Sequence, residues 1–181
     1  MNIFVLHTNP TTAARMYCDK HVPKMCVETA QMMASALRRH GATDEQMPLT
    51  KAGTPYKGGY AHHPCTVWAG DSRDNFMWLA RHAQRLLREY MQRFDRIHAC
   101  HGPIDMMACM DYIIPEGDLT PFGRAFDKTN PDHDEWYDED KYTAVEAYRL
   151  YYHTKRFANG PPRWEKGTPA PDWWQGVEVT A

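Results

Sequence analysis

The stretch that decides the fold is residues 71–97, "DSRDNFMWLARHAQRLLREYMQRFDRI". Asp71-Ser72 supplies a helix cap. Behind it Phe76, Leu79, Ala83, Leu86, Leu87, Tyr90 and Phe94 recur at steps of three and four, which makes one apolar stripe along a helix expected over about 72–96. The six arginines at 73, 81, 85, 88, 93 and 96 occupy the rest of its circumference. A stripe that long has to be covered by other elements, and most of the remaining chain also has helical periodicity. The fold class expected is mainly α: one compact helical domain over 1–181, with a short N-terminal strand and an irregular Trp/Pro-rich C-terminal tail.

Working outward, "NIFVL" is apolar throughout and partly β-branched, so residues 3–6 are expected to form a short buried strand. From Thr12 to about Arg39 the spacing of Val22, Met25, Cys26, Thr29, Ala30, Met33 and Leu37 is helical, with Pro23 either kinking the helix or beginning its second half. Residues 41–70, containing "MPLTKAGTPYKGGY", have the Gly, Pro and Thr content of a long loop, and such loops are usually functional or mobile. "IDMMACMDYI" is a shorter helical run. Tyr142 to Phe157 is expected as a final helix, and the tail from Gly160 is irregular chain anchored by Trp164, Trp173 and Trp174.

Composition sets outer limits. The 181 residues fit one core, and 11 methionines and 22 aromatic residues are generous components for filling it. Cys18, Cys26, Cys65, Cys100 and Cys109 are odd in number and contain no C-x-x-C pair, so neither a disulfide framework nor a thiolate zinc site is indicated, and a cytoplasmic setting is expected. The start has only four consecutive apolar residues and no basic region before them, so no signal peptide is expected. No segment has the apolar length of a membrane span. Charge is unevenly placed: arginines crowd 73–96, whereas Asp132 to Asp140 holds six acids and no base, so a basic face and an acidic loop are expected.

The ionisable residues concentrate at "CDKHVPKM", 18–25. On a helix Lys20, Lys24, Glu28 and Gln31 share one polar face with a partly exposed His21 at its edge. That face suits a phosphate between the lysines, with His21 or Glu28 moving a proton; the plainer alternative is a solvated face with i,i+4 ion pairs. In "YAHHPCTVW", His62 and His63 on extended chain point to opposite sides and make a poor chelating pair. His98 and His101 share a helical face, yet two ligands are too few for a metal, so no metal and no cofactor are expected. "AYRLYYHTKRF" interleaves Arg149, Lys155 and Arg156 with tyrosines, which suits phosphate contacts beside a stacking surface, or equally a core helix with outward cations. Phosphate-binding glycine loops, a serine nucleophile elbow and the zinc-deaminase motif pair are absent.

The order of "MNIF", a helix carrying basic-X-Val-Pro-basic, "HHP" before a capped helix and then "FMWLARHAQRLLREYMQRFDRI" resembles the phage pyrimidine-dimer DNA glycosylase (endonuclease V) family. The chain also looks like a wider set of bacteriophage proteins with "CDKHV-KM", "HPC..W" and "N..WL". The resemblance covers about residues 1–100 and implies an all-α protein that binds double-stranded DNA, flips a base and acts near the sugar. It places Lys20 and Lys24 at the family's phosphate-contacting positions; His62, His63, Arg73, Asn75, Arg149 and Lys155 are further DNA-binding candidates from the residue patterns themselves. The departures are specific. The family's glutamate aligns with His21, and the family's nucleophile is an α-amine exposed by loss of the initiator methionine, whereas Asn2 is a large residue expected to keep Met1.

His21, Glu28 and Lys24 are accordingly the expected catalytic residues. Three readings follow. The leading one is modification of a flipped pyrimidine, by transfer of an amine or amino acid to an activated 5-methyluracil with loss of pyrophosphate. The second is base excision by a glycosylase/lyase with His21 in place of the glutamate. The third is a non-catalytic phage protein binding nucleic acid or a host protein, with 132–140 as a DNA mimic.

Overall fold

The computed structural model describes residues 1–176; the end of the expected tail, 177–181, lies outside the described residues. Among the described residues there are six α-helices: α1 (Pro10–Arg15), α2 (His21–Arg39), α3 (Pro64–Ala69), α4 (Arg73–Phe94), α5 (His101–Ala108) and α6 (Ala144–His153). Two 3₁₀ turns, Asp111–Ile113 and Pro131–Tyr137, lie between α5 and α6. The described residues contain no strand, only isolated bridges joining Leu49 to Pro55 and Phe157 to Gly160.

The long helix forms as its sequence dictates. Ser72 Oγ accepts the Asn75 N–H at 3.2 Å to cap α4, and Asp95 ends it in the left-handed conformation with φ 50°. Phe76, Leu79, Ala83, Leu86 and Leu87 are buried, and this face packs on α1, α2, α3 and α5. α6 begins with a capping box in which Thr143 and Glu146 satisfy each other's backbone N–H groups. It is shorter than the expected 142–157 run. The 41–70 segment is a loop only as far as His63, because Pro64 occupies the first turn of α3, where its missing N–H is harmless.

Two expectations are corrected. Residues 3–6 are not a strand: no neighbouring segment offers a ladder, and Phe4 turns to φ 45°. Their backbone groups are satisfied by side chains instead. Asn2 Oδ1 accepts the Phe4 N–H at 2.9 Å, Tyr17 OH donates to Phe4 O at 3.3 Å, and Arg149 Nε donates to Leu6 O at 3.1 Å. Ile3, Phe4, Val5 and Leu6 are thereby threaded through the core as irregular chain. The 12–39 segment is also broken rather than bent: α1 ends at Arg15, residues 16–20 turn, and Pro23 sits in the first turn of α2.

That turn is held by buried charge. Arg93 Nη1 donates to Tyr17 O at 2.7 Å and to Asp19 Oδ1 at 3.1 Å, while Nη2 reaches Arg15 O at 3.0 Å and Glu89 Oε2 at 2.9 Å. Glu89 also receives Arg85 and the Thr168 hydroxyl. The tail packs over this region, with Trp164 Nε1 donating to Met16 O at 3.2 Å and Trp174 stacked on His153 with ring centres 4.8 Å apart. The acidic segment is tied down through Trp136, whose ring meets Phe126 and His133, and through Lys141, which pairs with Glu135.

Removing one partner of a buried ion pair strands the other in low dielectric. Glu89→Ala should therefore lower unfolding free energy by about 3–5 kcal/mol, read from urea denaturation. Substitution of an exposed acid such as Asp74 should cost a small fraction of that.

Candidate nucleic-acid interface and catalytic pocket

α2 carries all three expected catalytic positions, His21, Lys24 and Glu28, and its successive turns meet different surroundings. At its start Cys18 O accepts the N–H groups of His21 at 3.0 Å and Val22 at 3.2 Å, which turns the His21 ring inward. His21 is 2% exposed, not partly exposed as its place on the helix edge implies. The ring stacks on Phe4 at 4.9 Å and meets Phe157 edge-on at 5.1 Å. Its Nδ1 lies 2.6 Å from Tyr152 OH, whose oxygen already accepts the Cys18 N–H at 3.0 Å. The proton count closes when the hydroxyl donates to an unprotonated Nδ1. Burial, with Lys24 and Lys155 adding positive charge, pushes His21 down to about 3. A neutral imidazole of that basicity, bonded through Nδ1 to Tyr152, is poorly suited to moving protons at neutral pH.

Two turns further along, the same helix opens to solvent. Glu28 Oε2 accepts the Asn2 backbone N–H at 2.9 Å, and Oε1 lies 3.4 Å from Lys24 Nζ. The Glu28 side chain is only 12% exposed, while that of Lys24 is 61% exposed. Met1, Lys24, Val27, Glu28, Gln31 and Tyr60 line a cavity of about 360 Å³. His63 is close by: its ordinary basicity is lowered by burial first and by the Met1 amino group second, with Glu28 opposing. Its Nδ1 accepts the Cys65 N–H at 3.2 Å and so caps α3. His62 is exposed, in a turn closed by the His63 N–H to Tyr60 O bond and not on the extended chain expected for this pair.

The remaining candidates scatter. Lys20 borders a neighbouring cleft of about 450 Å³ that also has Phe94, Phe157, Arg163 and Lys166 in its walls. Lys155 lies between these regions, with Nζ 3.3 Å from the centre of the Tyr151 ring and 5.3 Å from that of Phe4; burial and the charge of Lys24 lower it to about 8. Arg149 is occupied by Leu6 O and lies over Trp173 at 5.5 Å. Arg73 pairs with Glu116 at 3.0 Å. It stands 20 residues, or about 30 Å of helix, from Arg93 and the Lys20 region, so Arg73 and Lys20 do not form one compact patch.

Asn75 is fully buried: its amide donates to Trp68 O at 2.8 Å and Thr120 Oγ1 at 2.7 Å, and its oxygen accepts the Thr120 N–H at 2.9 Å. It holds a loop, with no polar atom left for a ligand. His98 accepts the Cys100 N–H, and His101 pairs with Asp105 at 3.2 Å. Periodicity overlooks Tyr60, Arg163 and Lys166. Tyr60 alone has a local signal, in the two glycines before it.

These features define a helical protein whose second helix presents a half-buried carboxylate and an ammonium to an open pocket beside the start of the chain. Residues 1–101 match the family described as pyrimidine dimer DNA glycosylase, and the chain belongs to that family. No curated protein and no solved structure matches it. The matched part contains every residue lining the Glu28 pocket; Arg149, Lys155 and the tail wall of the Lys20 cleft lie outside it. Among the described residues no helix is long and apolar enough to cross a membrane.

His21 gives a linked prediction. His21→Ala opens a cavity and leaves the Tyr152 hydroxyl without its partner, for a cost on the order of 2–4 kcal/mol. Between the ordinary value of 6.5 and about 3 the unfolded chain binds a proton at His21 that the folded chain refuses. Stability should accordingly fall as pH drops below 6.5, by up to about 1.4 kcal/mol per pH unit for this residue. Urea midpoints from pH 7 to 4.5 should fall less steeply for His21→Ala than for the parent; parallel curves would contradict the buried, neutral ring.

Proposed function

We propose that this protein acts on a pyrimidine base in double-stranded DNA, with the Lys24–Glu28 pocket as its reaction site. The observation that carries this reading is the half-buried Glu28 carboxylate, fixed by the Asn2 N–H and facing an ammonium in a cavity of about 360 Å³, with room for a base. Membership of the glycosylase family supports the choice of substrate. In the resemblance the family's glutamate falls at His21, which is buried here. Glu28 lies seven residues later on the same helix face and takes over as the proton-transfer residue.

In base excision, Glu28 takes a proton from the Lys24 ammonium. The freed amine attacks C1′ of the deoxyribose, the bond from C1′ to the base nitrogen breaks, and the base leaves as its anion and is then protonated. A second reading, amine or amino-acid transfer to an activated 5-methyluracil, is favoured by a different observation. Lys24 is close enough to Lys155 to depress it, and paired cations suit a departing pyrophosphate, with Glu28 taking the proton of the incoming amine. DNA phosphates are then met by Lys20, Lys24 and the exposed cations of the neighbouring cleft.

Borohydride trapping on duplex carrying a pyrimidine dimer separates the two chemistries. A covalent protein–DNA adduct is expected for excision. On duplex carrying the pyrophosphate-activated 5-methyluracil and supplied with a free amine, release of pyrophosphate with the amine bound in its place, and no protein–DNA adduct, would establish transfer instead.

Glu28→Gln should reduce turnover by roughly 10²- to 10⁴-fold with DNA affinity and melting temperature nearly unchanged. Lys24→Ala should weaken binding as well and lower the slope of log affinity against log salt by about one. Full activity in Glu28→Gln would remove the carboxylate from the mechanism.

A further inference from the structure

Tyr60 stands at the mouth of the Glu28 pocket, 70% exposed, with its backbone at φ 53°. Both features are unfavourable in a folding protein. Left-handed backbone crowds any Cβ and is tolerated mainly at glycine and asparagine. A tyrosine gains little for folding by standing in water, and no ring of the protein packs on this one among the described residues.

The conformation is imposed by anchors on both sides. Ser35 Oγ on α2 donates to Gly59 O at 3.0 Å and accepts the Gly59 N–H at 2.8 Å. Gly58, at φ 80°, passes so close to α2 that a Cβ there would come within 2.2 Å of Ser35 Oγ. On the other side His63 N–H donates to Tyr60 O at 2.9 Å, directly ahead of α3. The chain is therefore fastened to α2 just before Tyr60 and to the α3 cap just after it. Glycine at position 60 would adopt the same backbone with less strain, so the tyrosine ring itself needs a reason to be there. Strain held in place by the surrounding structure is characteristic of ligand clamps.

We propose that Tyr60 is the stacking platform of the pocket, receiving the face of the pyrimidine that reaches Glu28. The inference rests on the reading of this pocket as a pyrimidine site. The lining supports an aromatic, polar-edged ligand: Tyr60 and the 43% exposed Val27 give flat apolar surface, while Glu28, Gln31 and Lys24 supply an acceptor, an amide and a cation for ring-edge groups. A base drawn out of a duplex loses its stacking partners, and an aromatic side chain replaces one of them whatever the base identity. Tyr60 thereby sets how long an extruded pyrimidine stays beside the carboxylate, while Lys20 holds the backbone.

The test uses the full chain and duplex DNA bearing a single 5-iodouracil, whose photochemistry joins it to aromatic rings stacked on it. Irradiation followed by peptide mapping should place the adduct on Tyr60. Tyr60→Gly should lose that adduct, weaken affinity for pyrimidine-dimer duplex by roughly 5- to 100-fold, and raise the melting temperature because the strain is relieved. Tyr60→Trp and Tyr60→Phe should retain most of the affinity, since the ring face and not the hydroxyl is used. An adduct mapped to another pocket residue, with Tyr60→Gly binding like the parent, would overturn the assignment and leave the pocket reading intact. Parent protein that forms no pocket adduct and whose activity is indifferent to Glu28→Gln would overturn the pocket reading, and this inference with it.

Discussion

The Arg93 guanidinium is the interaction on which the rest of the arrangement depends. It leaves α4 one residue before the helix ends and reaches two carbonyls and two carboxylates: Arg15 O, Tyr17 O, Asp19 and Glu89. The carbonyls belong to the end of α1 and to the turn after it, groups that a continuous helix from 12 to 39 would have used internally. Breaking the helix there frees them, and Arg93 satisfies them where water cannot. The break also lets α2 start afresh at His21, so the direction of α2, and with it every residue of the candidate site, is referred to this charge cluster.

Along α2, His21 and Glu28 lie seven residues apart and so point nearly the same way from the helix axis. Their chemistry diverges because of what covers that face. At His21 it lies beneath Phe4, Tyr152 and Phe157. At Glu28 the first two residues of the chain contribute one backbone N–H, and the other side faces the pocket. One imidazole is held neutral inside aromatic packing, and one carboxylate is held at a pocket wall. Lys24, between them in sequence, lowers the basicity of His21 and of Lys155 and lies beside Glu28, so it is electrostatically coupled to both surroundings.

The loop before α3 brings a different kind of order to the same pocket. It has little secondary structure, yet Ser35, Gly58 and Gly59 fix it against α2 as firmly as a helix contact would. A glycine-rich loop lying this close to α2 can present an aromatic ring at the pocket mouth in a conformation that a freely moving loop would seldom sample. The pocket therefore combines a helix that supplies charge with a loop that supplies apolar surface, both inside the segment shared with the family.

The sequence by itself determined the elements whose causes are local. The Phe76 to Phe94 stripe, the Ser72 cap and the turn-rich chain after Gly41 act over a few residues, and the structure has each of them. Lys24 and Glu28 were legible for the same reason, since i,i+4 pairing is a property of one helix. The interior placement of His21 and Asn75 was decided by tertiary structure: Tyr152 is 131 residues from His21, and Thr120 is 45 from Asn75. "NIFVL" has the pattern of a strand and is none, because an apolar run states only that a segment is buried. Whether its backbone pairs with a neighbouring strand or with side chains such as Tyr17 and Arg149 depends on which groups the packed helices bring within hydrogen-bond reach.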